Sequence, residues 1–194
     1  MVGLISIYAA VVSTVGLILT LYFKYSPDKL DLLLDEPNFN DATILNQQGI
    51  STCRFFHIIV KNNHNRKTAK NCKVYLISLK MEGEEKELLA SELPLKWRGY
   101  LANIPSIDIP PNKINKFDAF FVFYSSPNTL HIQAFVDSTA LLPKILGNTQ
   151  LIARYKVTAD GFKTKEKNFQ IILSEHLDDV KINLKYKHAH KLVI

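Results

Sequence analysis

The stretch Thr52-Cys53-Arg54-Phe55-Phe56-His57-Ile58-Ile59-Val60-Lys61 decides the fold class. It is rich in β-branched and aromatic residues, and in an extended chain Phe56, Ile58 and Val60 fall on one face. Residues 71–81 repeat the pattern, with Cys72, Val74 and Leu76 on one face. A polar loop, Asn62-Asn63-His64-Asn65-Arg66-Lys67-Thr68-Ala69-Lys70, joins the two runs.

Working outward, residues 30–35 form a first strand closed by Glu36-Pro37, and a polar stretch follows to Gly49. Residues 82–87 are an acidic turn, and 88–97 hold a short edge strand broken by Pro94. Ile107-Asp108-Ile109-Pro110-Pro111 leads into a strand over 114–125. Its Phe120-Phe121-Val122-Phe123 is apolar on both faces, as expected of a central strand. Further strands are expected over 130–136 and 180–187, and a short helix over 138–146, limited by Pro143. Residues 150–159 and 168–174 flank the turn Asp160-Gly161 and form a hairpin. About eight strands with no alternating long helices predict an all-β, antiparallel sandwich.

The pattern Phe56-x-Ile58-x-Val60-x-Asn62, Ala69-x-x-Cys72-x-Val74-x-Leu76, Ile109-Pro110-Pro111 before Phe117-Asp118, and Tyr155-x-Val157-x-Ala159 resembles the immunoglobulin-like β-sandwich modules of uncharacterised prokaryotic single-span membrane proteins. The resemblance covers roughly residues 30–175 and consists of strand and turn residues. It lacks the paired cysteines with a core Trp of antibody-type domains. It implies a binding or assembly platform, a role that fold alone does not fix.

The chain has 194 residues, a net charge of +6 and a mean hydropathy of +0.00. Residues 1–23 carry no charged side chain, so every charge lies beyond them. As one helix, residues 2–23 would span roughly 33 Å, enough for a hydrocarbon core of about 30 Å. No basic residue precedes the run and no small-residue cleavage site ends it, so a retained transmembrane helix is expected over 1–24. A juxtamembrane tether over 25–29, a β-sandwich over 30–187 and a basic tail over 188–194 complete the organisation. Lys24 and Lys29 follow the run, which places the carboxyl-terminal domain in the cytoplasm by the positive-inside rule. On the helix, Ser6, Ala9, Ser13, Gly16 and Thr20 step by three and four residues, a small-residue packing face for a second copy or a partner membrane protein.

Enzyme signatures are missing. The seven glycines make no phosphate loop and no nucleophile elbow, and there is no H-E-x-x-H. Cys53 with His57, and His188 with His190, fall short of the three or four ligands a zinc site needs. No cofactor or metal is expected. If the two runs pair as a hairpin, Cys53 and Cys72 lie at opposite ends and do not form a bridge.

Charge is more telling. Between Arg54 and Lys80 there are seven basic residues and no acidic one. Lys61, Arg66, Lys67, Lys70 and Lys73 are therefore the candidate contacts for anionic headgroups or for an anionic ligand such as a nucleotide. No aromatic stacking motif accompanies them, so no specific nucleic acid is expected. The expected function is a non-catalytic, membrane-anchored interaction or assembly module, oligomeric through its helix, with membrane lipids among its partners. The alternatives are a membrane effector sensing an anionic ligand and an extracytoplasmic envelope or adhesion domain.

Overall fold

A computed structural model describes residues 11–18, 28–46, 49–99, 104–132, 134 and 148–185. Eleven strands follow in chain order: β1 (Asp28–Asn46), β2 (Gly49–Asn62), β3 (Ala69–Met81), β4 (Leu93–Pro94), β5 (Ile107–Ile109), β6 (Ile114–Phe123), β7 (Ser126–His131), β8 (Gln150–Asp160), β9 (Phe162–Lys163), β10 (Lys165–Ile172) and β11 (Lys181–Leu184). They form two sheets, β7-β6-β2-β1-β9 and β11-β10-β8-β3-β4, with β5 added to β3. The sheets pack face to face as a β-sandwich. Phe56, Ile58, Val60, Phe117 and Phe120 from the first sheet meet Leu76, Leu151, Tyr155, Val157 and Phe169 from the second.

Alternation explains part of this core: in β8 the buried Leu151, Ala153, Tyr155 and Val157 recur with the period of two that extended chains impose, whereas the interior strands β2 and β6 are buried continuously over 56–60 and 117–120. Two polar contacts fix it. The Tyr155 hydroxyl donates across the sandwich to the Ala119 carbonyl at 3.3 Å. The Trp97 indole donates to the Cys72 carbonyl at 3.2 Å, with its ring edge-on to Phe117.

Four expectations are corrected. The transmembrane helix over 1–24 is the first. Within that stretch the structure describes one helix, α1, over residues 11–18. Among the described residues no helix is long and apolar enough to cross a membrane. Of the predicted packing face, Ser13 and Gly16 lie on α1, while Ser6, Ala9 and Thr20 lie outside the described residues. The tether's last two positions, 28 and 29, already belong to β1. The basic tail over 188–194 also lies outside them.

Second, the hairpin on which the placement of Cys53 and Cys72 is conditional does not form. β2 lies between β1 and β6 in one sheet, and β3 belongs to the other. Loop 63–68 thus carries the chain from sheet to sheet. Cys53 and Cys72 accordingly lie in different sheets, both free and buried. Third, β1 does not stop at Glu36-Pro37. A register shift between Leu34 and Phe39 absorbs that dipeptide and the strand resumes to Asn46. Fourth, among the described residues the sandwich has eleven strands rather than about eight, and its pairing is not wholly antiparallel: β9 runs parallel to β1, pairing Asp28 with Phe162.

The central position of β6 and the hairpin of β8 with β10 match the reading of the sequence. The strand expected over 130–136 begins earlier, as β7, and ends at His131. The helix expected over 138–146 lies outside the described residues.

Candidate functional site: a basic pole

Asn62, the last residue of β2, is fully buried and organises one end of the sandwich. Its side-chain amide donates to the carbonyls of Lys67 at 2.8 Å, Ile109 at 2.9 Å and Pro110 at 3.3 Å. Its side-chain oxygen accepts from the His64 backbone at 3.0 Å, and its own N–H donates to the Lys113 carbonyl at 3.0 Å. One residue thereby ties loop 63–68 to the β5–β6 turn. His64 extends the arrangement: Nδ1 accepts from the backbone N–H groups of Arg66 at 2.9 Å and Lys67 at 2.7 Å, and its carbonyl accepts from Asn112 N–H at 3.2 Å. A buried amide must find partners or lose several hydrogen bonds' worth of solvation, so these contacts hold the loop in one shape.

The β8–β9 turn joins the same end. Gly161 has φ of +69°, where an added Cβ would come within 3.1 Å of Lys67 Nζ. That ammonium donates to the Gly161 carbonyl at 3.3 Å and lies 5.1 Å from the centre of the Phe162 ring. Asn71, at the irregularity that opens β3, donates its backbone N–H to Asp108 at 3.0 Å and its side-chain amide to Asp160. Asn71 and Asn112 have φ of +51° and +54°; they are the only non-glycine residues with positive φ among the described residues, and both sit at this end. Asn tolerates that conformation better than most residues, which accounts for its use in both turns.

The result is a pole with five exposed cations from three connections and the start of β3: Arg66, Lys67, Lys70, Lys113 and Lys163. The exposed carboxylates on the same turns, Asp108 and Asp160, are both engaged by Asn71. The predicted set of Lys61, Arg66, Lys67, Lys70 and Lys73 is thus split. Arg66, Lys67 and Lys70 come together. Lys61 falls on the outer face of the first sheet and Lys73 on the outer face of the second, because each alternates with core positions of its own strand. Lys113 and Lys163 were not part of that set. Each is isolated among uncharged or mixed neighbours, and only the turn residues beside them, Pro110-Pro111-Asn112 and Asp160-Gly161, hint at their position.

The opposite end carries the acidic turn over 82–87 and the turn holding Asp178-Asp179. There the Lys185 hydrogen bond holds Glu82 below the usual carboxylate range. Arg54 reaches Asp41 at 2.7 Å and Asp178 at 3.1 Å, and its hydrogen bond to Asp41 lowers that carboxyl and raises the guanidinium. Away from both poles, His57 and Asp118 form a buried pair, Nδ1 to Oδ1 2.8 Å, and Asn40 engages the other imidazole nitrogen. No group of three or more metal-binding side chains converges among the described residues.

Searches against protein-family models, curated proteins and solved structures return no match to this chain.

Proposed function

We propose that the chain is a non-catalytic β-sandwich interaction module whose working surface is the basic pole, and that its partner carries phosphate or another dense anionic charge. One observation carries this reading: Arg66, Lys67, Lys70, Lys113 and Lys163 are exposed at one end, on connections held in place by Asn62 and His64. Cations gathered on a rigid surface attract an anionic partner without the entropy cost of ordering a loop. The likeness of the sequence to immunoglobulin-like modules supports a platform role, since those sandwiches present their connecting loops at two ends.

The test is retention of the purified chain on a heparin column. The wild-type chain should elute at higher salt than the Arg66→Ala/Lys113→Ala double variant, while Lys61→Ala and Lys73→Ala should each shift elution less. Identical elution of wild type and double variant would contradict the reading.

A further inference from the structure

We infer that the basic pole docks on an anionic lipid surface and that the apolar side chains of residues 11–18 enter the same surface. The inference rests on the reading of the pole given above and names its partner. Three observations converge. β1 begins in the pole: Asp28 pairs with Phe162 and Leu30 with Asn62. The charge-free stretch of the sequence therefore joins the sandwich among the cations and not at the acidic end. Residues 19–27 separate Ile18 from β1, so Ile18 lies within about 34 Å of the pole even with that stretch fully extended. Finally, Val11, Val12, Val15, Leu17 and Ile18 are each 50–60% exposed, although they are large and apolar.

A soluble anion satisfies the cations and leaves those five side chains in water. A lipid interface serves both groups at once, with acyl chains for the helix and headgroup phosphates for the pole. Two weak contacts joined by a short connection act together, because binding of one raises the local concentration of the other.

The experiment is flotation of the full chain with vesicles of phosphatidylcholine alone and of phosphatidylcholine mixed with phosphatidylglycerol, at low and high salt. The expected result is strong flotation with the mixed vesicles at low salt, weakened at high salt, and weak flotation with phosphatidylcholine alone. Each cation near the surface contributes about fivefold, so Arg66→Ala/Lys113→Ala should weaken partitioning to mixed vesicles roughly 25-fold. Lys70→Ala/Lys163→Ala, on other segments of the same pole, should do the same. Val12→Asp/Val15→Asp should weaken it roughly tenfold or more, and Glu84→Gln/Glu85→Gln at the opposite end should leave it unchanged. Equal flotation with both vesicle types would overturn the inference, as would pole variants that float like wild type. Heparin retention that depends on Arg66 and Lys113, without flotation, would overturn the lipid partner alone. So would self-association without flotation. Loss of both activities would also remove the reading of the pole.

Discussion

The Asn62 side chain donates to the Lys67 carbonyl at 2.8 Å across the loop that carries the chain from one sheet to the other. This contact converts a polar connection into a fixed surface. It also sets the first prediction. Asn62→Ala strips the donor from three carbonyls, two of them in the β5–β6 turn. Urea unfolding should show a loss of about 2–4 kcal/mol, a value set by unsatisfied buried groups rather than by lost packing. A loss of only a few tenths would mean that the loop is not held this way.

The second prediction concerns the pair His57 and Asp118, 1% and 8% exposed. They join β2 to β6, and Asn40 links the imidazole to β1. Either His57→Leu or Asp118→Leu alone leaves a buried polar partner, at a cost of roughly 3 kcal/mol. The double variant should cost less than the sum of the two, with a coupling of roughly 1–3 kcal/mol in a double-mutant cycle. Additive single costs would show that the two side chains do not act as a unit.

The third prediction is acid lability. Hydrogen bonds from Arg54 and Lys185 lower Asp41 and Glu82. Burial pushes Glu87 up, but hydrogen bonds from Ser78 and the Leu79 backbone outweigh it, and the net direction is down. A carboxylate lowered by folding stabilises the fold above its unfolded pKa, and that stability fades as pH falls through the folded value. With ordinary values of 3.8 for Asp and 4.5 for Glu, the urea midpoint should be flat from neutral pH down to about 5 and fall below about 4.5. Glu87→Gln should flatten the fall. Stability that rises on acidification would contradict the assignment.

The fourth prediction is thiol silence. Burial raises both thiols, Cys72 to about 12, and Cys53 donates to the Ala42 carbonyl at 3.4 Å. A thiolate-specific reagent at pH 8 should leave both unmodified in the folded chain and titrate both after denaturation. Rapid reaction of either thiol without unfolding would contradict the packing around it.

Much of the fold is legible in the sequence because alternation is a local signal. Phe56, Ile58 and Val60, or Tyr155 and Val157, announce their face without any partner, and Asp160-Gly161 announces a turn. Pairing is not local. Nothing in residues 62–70 says whether the connection turns back within one sheet or crosses between sheets. Glu36-Pro37 reads as a strand end, yet a register shift lets β1 continue past it. The hydropathy of residues 1–23 reads as a span, yet among the described residues no helix is long and apolar enough to cross a membrane.

The site was half legible for the same reason. Arg66, Lys67 and Lys70 are close in sequence, so a charge run finds them. Lys113 and Lys163 reach the pole only through tertiary contacts made by Asn62, His64 and Lys67. Lys61 and Lys73 belong to the same run but follow their strands onto opposite outer faces.

The central claim is that this pole is the working surface. It is tested most directly by following backbone amide resonances of the isotope-labelled chain as inorganic polyphosphate is added. Shifts should be confined to residues 63–70, 112–113 and 160–163. Shifts centred on the turns at 82–87 and 175–179, or none at all, would contradict it.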